Sequence, residues 1–287
     1  VPNGGPIAHR IMLGARLRSL REATGISRED AGYEIRASDS KISRMELGRV
    51  GFKVRDVADL LTLYGIVAEA DRAPILDLAR EANRPGWWRR YAEVVPGWSE
   101  AYLGLESAAT LIRSYHLHLV PDLLQTEDYA RAAVAQTSNP GTMSAEAVAR
   151  TVEMRITRQR LLTRPDPPKL WAVIDEAALR PRIGSAEVLR AQLAHLRELA
   201  ATPNIVIQIL PAEYGGHVAT GAFTILRFAE PELPDVVHLE HLTGAIDLDR
   251  PEDVDRYEEL MNRLSVDSTT PDGLTARLDR LAAAIER

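Results

Sequence analysis

Apolar positions in the first eighty residues recur at helical spacing, in short blocks separated by small and polar residues. Over residues 9–24, Ile11, Leu13, Leu17 and Leu20 form one stripe, and Gly25 follows as a stop. Ser27, with Asp30 three residues on, has the form of an N-cap opening a second short helix to about Ile35. Ser38 or Asp39 caps a third, which ends at Gly48. A fourth is expected over 53–64, where Val54, Val57, Leu60, Leu61 and Tyr64 share a face, and a fifth over 71–82, stopped by the 83–86 segment with its Pro85. Short helices with brief connections predict an all-α head of five helices. The Pro/Gly-rich start, taken as residues 1–8, is expected to be disordered.

The pattern changes at Trp87. Residues 67–100 read as a linker helix and an aromatic hinge, with Trp87, Trp88 and Trp98 close together in sequence. Helical spacing continues over 99–114, 126–136 and 144–162, and a proline-rich break follows at 164–169. Beyond it, β-type runs at 170–175, 205–210, 223–228 and 236–241 predict a small sheet of about four strands, with a helix over 185–201 between the first two. Helical patterns return over 253–264 and 271–285, the last with Leu274, Leu278, Leu281 and Ile285 on one face. The whole therefore reads as α+β: a helical head over 9–66 and a mixed α/β body over 101–287.

Charge divides along the same line. The chain carries −6 overall. Residues 1–66 hold 11 Lys+Arg against 8 Asp+Glu, a net of +3, which leaves −9 for the rest. A basic module on an acidic body is the asymmetry expected when only one part meets phosphates. Cysteine is absent, which excludes disulfides and thiolate metal sites. No run is apolar enough to cross a bilayer and no signal-peptide pattern opens the chain, so a cytoplasmic protein without membrane association is expected.

The informative stretch runs from Ile26 to Arg49. Two short helices meeting across a tight turn let the second lie in the major groove of DNA. Ala31, Gly32 and Ala37 supply the small residues that such a corner needs, and Ile35, Ile42 and Met45 supply its apolar contacts. With Ile42 and Met45 inward, Ser40, Lys41, Ser43 and Arg44 are left on the outer side of the third helix. Lysine and arginine donate to guanine edges or phosphates, and hydroxyls donate or accept. Ser38, at the helix start, joins the candidate DNA contacts. Arg28, Arg49 and Lys53 are candidate phosphate contacts. Glu46 would repel DNA, and an ion pair with an arginine of the first helix such as Arg18 suits it better.

The segment SREDAGYEIRASDSKISRMELGR, with LGARLRSLREATG before it and VRDVADLLTLYG after it, resembles a λ-repressor-type helix-turn-helix of the xenobiotic-response-element family over residues 9–66. One position departs: that family's turn often has Gly where this chain has Arg36, and a non-glycine residue tolerates positive φ poorly, which predicts a differently shaped turn. The remainder (GWWRRYAEVVPGWSEAYLGLESAAT, YHLHLVPDLLQTEDYARA, RLLTRPDPPKLWAVIDEAAL, VVHLEHLTGAIDLD) resembles a large family of actinobacterial regulators, in which a helix-turn-helix is fused to a C-terminal domain without an established ligand. Members often lie beside a gene for a small partner protein, in an antitoxin-like arrangement. The resemblance implies a regulator set by a protein partner.

Other chemistries are weaker. Trp87, Trp88 and Trp98 could stack on bases or line a pocket, but adjacent tryptophans after a Pro-Gly break more often pin domains together, and they are the candidates for coupling body to head. His116-x-His118 and His238-x-x-His241 lack metal-site spacing, and His238 and His241 would face opposite sides of a strand, so no metal and no cofactor are expected. Gly215-Gly216, with Gly221 nearby, lacks a phosphate-loop pattern and reads as a loop between strands. Asp175, Glu176 and Glu240 could in principle pair for acid-base work, but no nucleophile or metal accompanies them. The expectation is a regulator that is not an enzyme. Its partners are a double-stranded DNA operator, a second copy of itself (because one recognition helix reads few base pairs) and a small co-encoded protein. The alternatives are a body that senses a small molecule or processes a metabolite.

Overall fold

Proline at the first helical turn starts the head, because its missing N–H is one that a helix leaves unpaired there anyway. In the computed structural model, which describes residues 5–137, 143–180, 183–214 and 221–285, α1 spans Pro6–Ala23 and so begins three residues before the expected 9. Of the expected disordered start, residues 6–8 are helical and residues 1–4 lie outside the described residues. There follow α2 (Arg28–Glu34), α3 (Asp39–Glu46), α4 (Val54–Leu63) and α5 (Glu69–Ala82). Their inward faces meet in one apolar core of Leu13, Leu17, Ile42, Met45, Leu60 and Leu61, joined by Phe52, Val57 and Tyr64. At Gly14 a side chain would strike the Met45 carbonyl, so glycine here lets α1 cross close over α3.

After short 3-10 turns at Trp87–Tyr91 and Gly97–Ser99 comes α6 (Glu100–Ala108), then β1 (Leu111–His116). This corrects the helix expected over 99–114. The run from Leu111 has backbone partners on both sides, β2 (Lys169–Asp175) parallel and β4 (Phe223–Arg227) antiparallel, and local spacing does not report such nonlocal pairing. Between β1 and β2 lie α7 (Glu127–Thr137) and α8 (Ala145–Gln159), packed through Ala130, Val134 and Val152. Helix α9 (Ala186–Leu199) leads to β3 (Ile205–Leu210), and β5 (Val236–His241) pairs with β6 (Gly244–Leu248) in a hairpin.

The sheet has six strands in the order β3-β2-β1-β4-β5-β6, parallel on the β3 side and antiparallel on the other, rather than the four expected. Helix α10 (Pro251–Asp267) covers one face: Val254, Met261 and Leu264 pack on Tyr115, Val173, Phe223, Ile225 and Val237. Helix α11 (Pro271–Ala284) packs on α9 and β3. The overall class is α+β, as the patterning predicts.

The chain divides into two compact units that are not consecutive in sequence. The first takes Val1–Arg89, Glu100–Ala109 and Phe228–Pro234; the second takes Arg90–Ser99, Thr110–Arg227 and Asp235–Arg287. In the first, Ala8 and Met12 of α1 pack with Ala108 of α6 and Leu233, so α6 is part of the head's architecture. No helix among the described residues is long and apolar enough to cross a membrane.

Candidate nucleic-acid interface

Two serine caps set the geometry of the motif. Ser27 Oγ accepts from the Asp30 N–H at 3.0 Å and opens α2; Ser38 Oγ accepts from the Lys41 N–H at 3.3 Å and opens α3. Between the helices the Ala37 N–H donates to the Gly32 carbonyl at 2.8 Å, and Arg36 takes φ 53°. Arginine thus adopts the left-handed conformation that glycine favours, and the turn keeps the tight form for which a change of shape was expected. A side chain at Gly32 would lie 2.6 Å from the Ala37 carbonyl, so close packing at the corner requires this glycine.

A buried carboxylate ties the motif to α1. Glu46, 6% exposed, accepts from Arg21 Nε at 2.5 Å and Nη2 at 3.1 Å, and from Arg28 Nε at 3.2 Å. Arg21 also donates to the Ile26 carbonyl at 2.9 Å, which pins the loop entering α2. The partner is therefore Arg21 rather than Arg18. Arg18 lies on the exposed side of α1 and pairs with Glu22 at 2.9 Å, one turn along. Tyr64 sits beside this network, and burial, with the charge of Glu46, pushes its phenol up to about 12.

On α3, Ile42 and Met45 are buried while Ser40 and Arg44 are exposed. Arg44 Nε lies along its own helix, 3.3 Å from the Ser40 carbonyl. Ser43 is half-buried. Lys41 is not a freely solvated lysine: its Nζ stands 3.0 Å from Asp56 Oδ2 on α4. Arg28 at the start of α2 is divided between solvent and Glu46, with a side chain 43% exposed. Arg49 and Lys53 are exposed in the segment joining α3 to α4. Asp56, Arg21 and Tyr33 escaped the sequence reading. Tyr33, on α2 one turn before Arg36, is 87% exposed, unusual for so large an apolar ring.

The tryptophans have separate surroundings. Trp87 and Trp88 belong to the first unit, where they meet edge to face with ring centroids 6.0 Å apart. Trp88 is buried, with Nε1 donating to Glu100 at 3.4 Å, and Trp87 Nε1 donates to Ser107 at 3.3 Å. Trp98 belongs to the second unit and is 37% exposed.

In the second unit Asp175 and Glu176, two of the carboxylates singled out above, have visible partners. Asp175 accepts from the Ala177 N–H at 2.8 Å and from the Tyr115 hydroxyl at 3.1 Å. Glu176 is buried and held by Arg277 and Arg180. His238 is buried with Nδ1 2.7 Å from Asp247 Oδ1, while His241 is exposed. Gly215 and Gly216 lie outside the described residues. No cluster of three metal-binding side chains occurs among the described residues.

Residues 12–75 match the family described as a helix-turn-helix domain, which supports a sequence-specific DNA-binding regulator. Residues 99–280, well over half of the chain, match the family described as a domain of unknown function (DUF5753). No curated protein and no solved structure matches the chain. The chain belongs to the DUF5753 family, and it carries a helix-turn-helix domain ahead of that region.

Proposed function

We propose that the head binds duplex DNA with α3 in the major groove and that the protein regulates transcription as a homodimer of the xenobiotic-response-element type. The observation that carries this reading is the division of α3: Ile42 and Met45 buried, Ser40 and Arg44 exposed, directly after a tight helix-to-helix turn. Arg44 and Lys41 contact base edges or phosphates, Ser40 and Ser43 contact the bases, and Ser38, Arg28, Arg49 and Lys53 hold the flanking backbone. Two heads on half-sites one helical turn apart supply the address that one helix cannot.

The body, acidic overall, repels phosphates within about a Debye length, roughly 8 Å at physiological salt. Its role in this reading is to receive a signal in the cytoplasm, from a small protein partner, and not to catalyse a reaction. Selection of bound duplexes from a random pool with the full chain tests the reading. Enrichment of a two-fold symmetric sequence, bound by two copies in light scattering, is the expected result. A pool that stays random contradicts sequence-specific recognition, and a complex with one copy contradicts the dimer.

A further inference from the structure

An open cleft of about 480 Å³ lies in the second unit between the 3-10 turn Glu176–Leu179, the first turn of α9 and the outer face of α11. Its volume falls within the roughly 300–1,000 Å³ typical of small-molecule sites. Leu179, Leu189 and Leu281 give it apolar walls, and Arg180, Arg277 and Arg280 line its polar side. Three guanidinium groups in one cleft stand out in a region whose net charge is −9.

The lining charges do not cancel. Burial alone would push the Glu176 carboxyl up, but hydrogen bonds from Arg277 and Arg180 outweigh it and hold the carboxyl below its usual range. Glu176 is therefore ionised at neutral pH, and its charge is spent on those two arginines. Arg180 grips it from Nε at 3.2 Å and Nη2 at 2.6 Å, and Arg277 reaches both Glu176 and the exposed Glu213. Arg280 is exposed and has no hydrogen bond or ion pair among the described residues. Counting Glu213, three cations face two carboxylates. The buried carboxylate fixes Arg180 and Arg277 on the cleft wall, so part of their ordering cost is met before a ligand arrives.

We propose that this cleft binds an organic anion with an apolar body, its carboxylate taken by Arg280 beside Arg180 and Arg277 and its aliphatic part lying on Leu179, Leu189 and Leu281. Guanidinium groups match a carboxylate in two-pronged geometry, and the leucines exclude water from the pair. The inference is independent of DNA binding. Decanoate serves as the probe in calorimetric titration of the full chain, with acetate as the head alone and decyltrimethylammonium as the same tail under opposite charge. One saturable decanoate site is expected, weakened at least tenfold in Arg280→Ala and by a smaller factor in Arg280→Lys, which keeps the charge but loses the two-pronged geometry. Acetate and the cation are expected to bind far more weakly. Absence of saturable decanoate binding, equal binding of the cation, or an unchanged dissociation constant in Arg280→Ala overturns the proposal.

Discussion

Lys41 Nζ of α3 stands 3.0 Å from Asp56 Oδ2 of α4, so the lysine best placed to meet DNA is already paired within the protein. The pair is partly exposed, at 32% and 14% of the side chains, and such pairs are worth roughly 0–1 kcal/mol. A phosphate or a guanine edge can therefore take the lysine at small cost. Asp56→Asn removes both the competitor and a negative charge close to the DNA. It is expected to raise affinity a few-fold for all duplexes, specific and nonspecific alike, in anisotropy titrations at fixed salt. A loss of affinity would show instead that Asp56 aims the lysine.

Glu46 joins α1, α2 and α3 through Arg21 and Arg28. Removing one member of a buried pair leaves the other charged and dry, a loss of about 3–5 kcal/mol. Glu46→Ala is expected to lose that much in denaturant unfolding of the head transition, and Glu46→Gln, which still accepts a hydrogen bond, clearly less. Equal stability of Glu46→Ala and wild type would remove the network from the account of the fold.

At φ 53°, Arg36 occupies backbone space that costs an L-residue about 1 kcal/mol or more. Arg36→Gly relieves this but gives the unfolded chain more freedom. A net gain of about 0.5 kcal/mol in unfolding free energy is expected. A destabilised variant would mean that the Arg36 side chain stabilises the turn by more than the strain costs.

The head was legible because its signals are local. Serine caps, stop glycines and apolar stripes act within four residues, and the sequence reading therefore places α2, α3 and α4 close to where they lie. The sheet was less legible because its signals are not local. Leu111–His116 looks like the continuation of a helix until β2 and β4 are set on either side of it, and Gly244–Leu248 becomes a strand only by pairing with β5. The same limit applies to the ion pairs. Spacing offers both Arg18 and Arg21 to Glu46, and only the crossing of α1 over α3 selects Arg21. Nothing near Lys41 in sequence announces Asp56, fifteen residues away.

Burial pushes His116 of β1 down to about 4, with Asp122 and Arg158 exerting smaller and opposing influences. The folded chain keeps the imidazole neutral, while the unfolded chain protonates it near 6.5. The unfolded state then binds more protons, so this contribution to stability is full above about pH 6.5 and is lost as pH falls toward 4. His195 is lowered in the same direction, also by burial. His116→Asn is expected to flatten, without abolishing, the slope of unfolding free energy between these limits. An unchanged slope would contradict a neutral His116 in the folded chain.

The central claim is that α3 reads DNA through its exposed side chains, and anisotropy titration of Arg44→Ala against a duplex selected by the wild-type chain tests it most directly. Arg44 is exposed and, among the described residues, its side chain bonds only to its own helix backbone, so its removal leaves the head folded. Loss of a base contact costs about 1–3 kcal/mol, roughly a 5- to 150-fold weakening, together with relaxed preference at one base pair. The account predicts that loss on the selected duplex and a much smaller one on a scrambled duplex. Unchanged affinity and unchanged base preference, with Lys41→Ala equally silent, would contradict it.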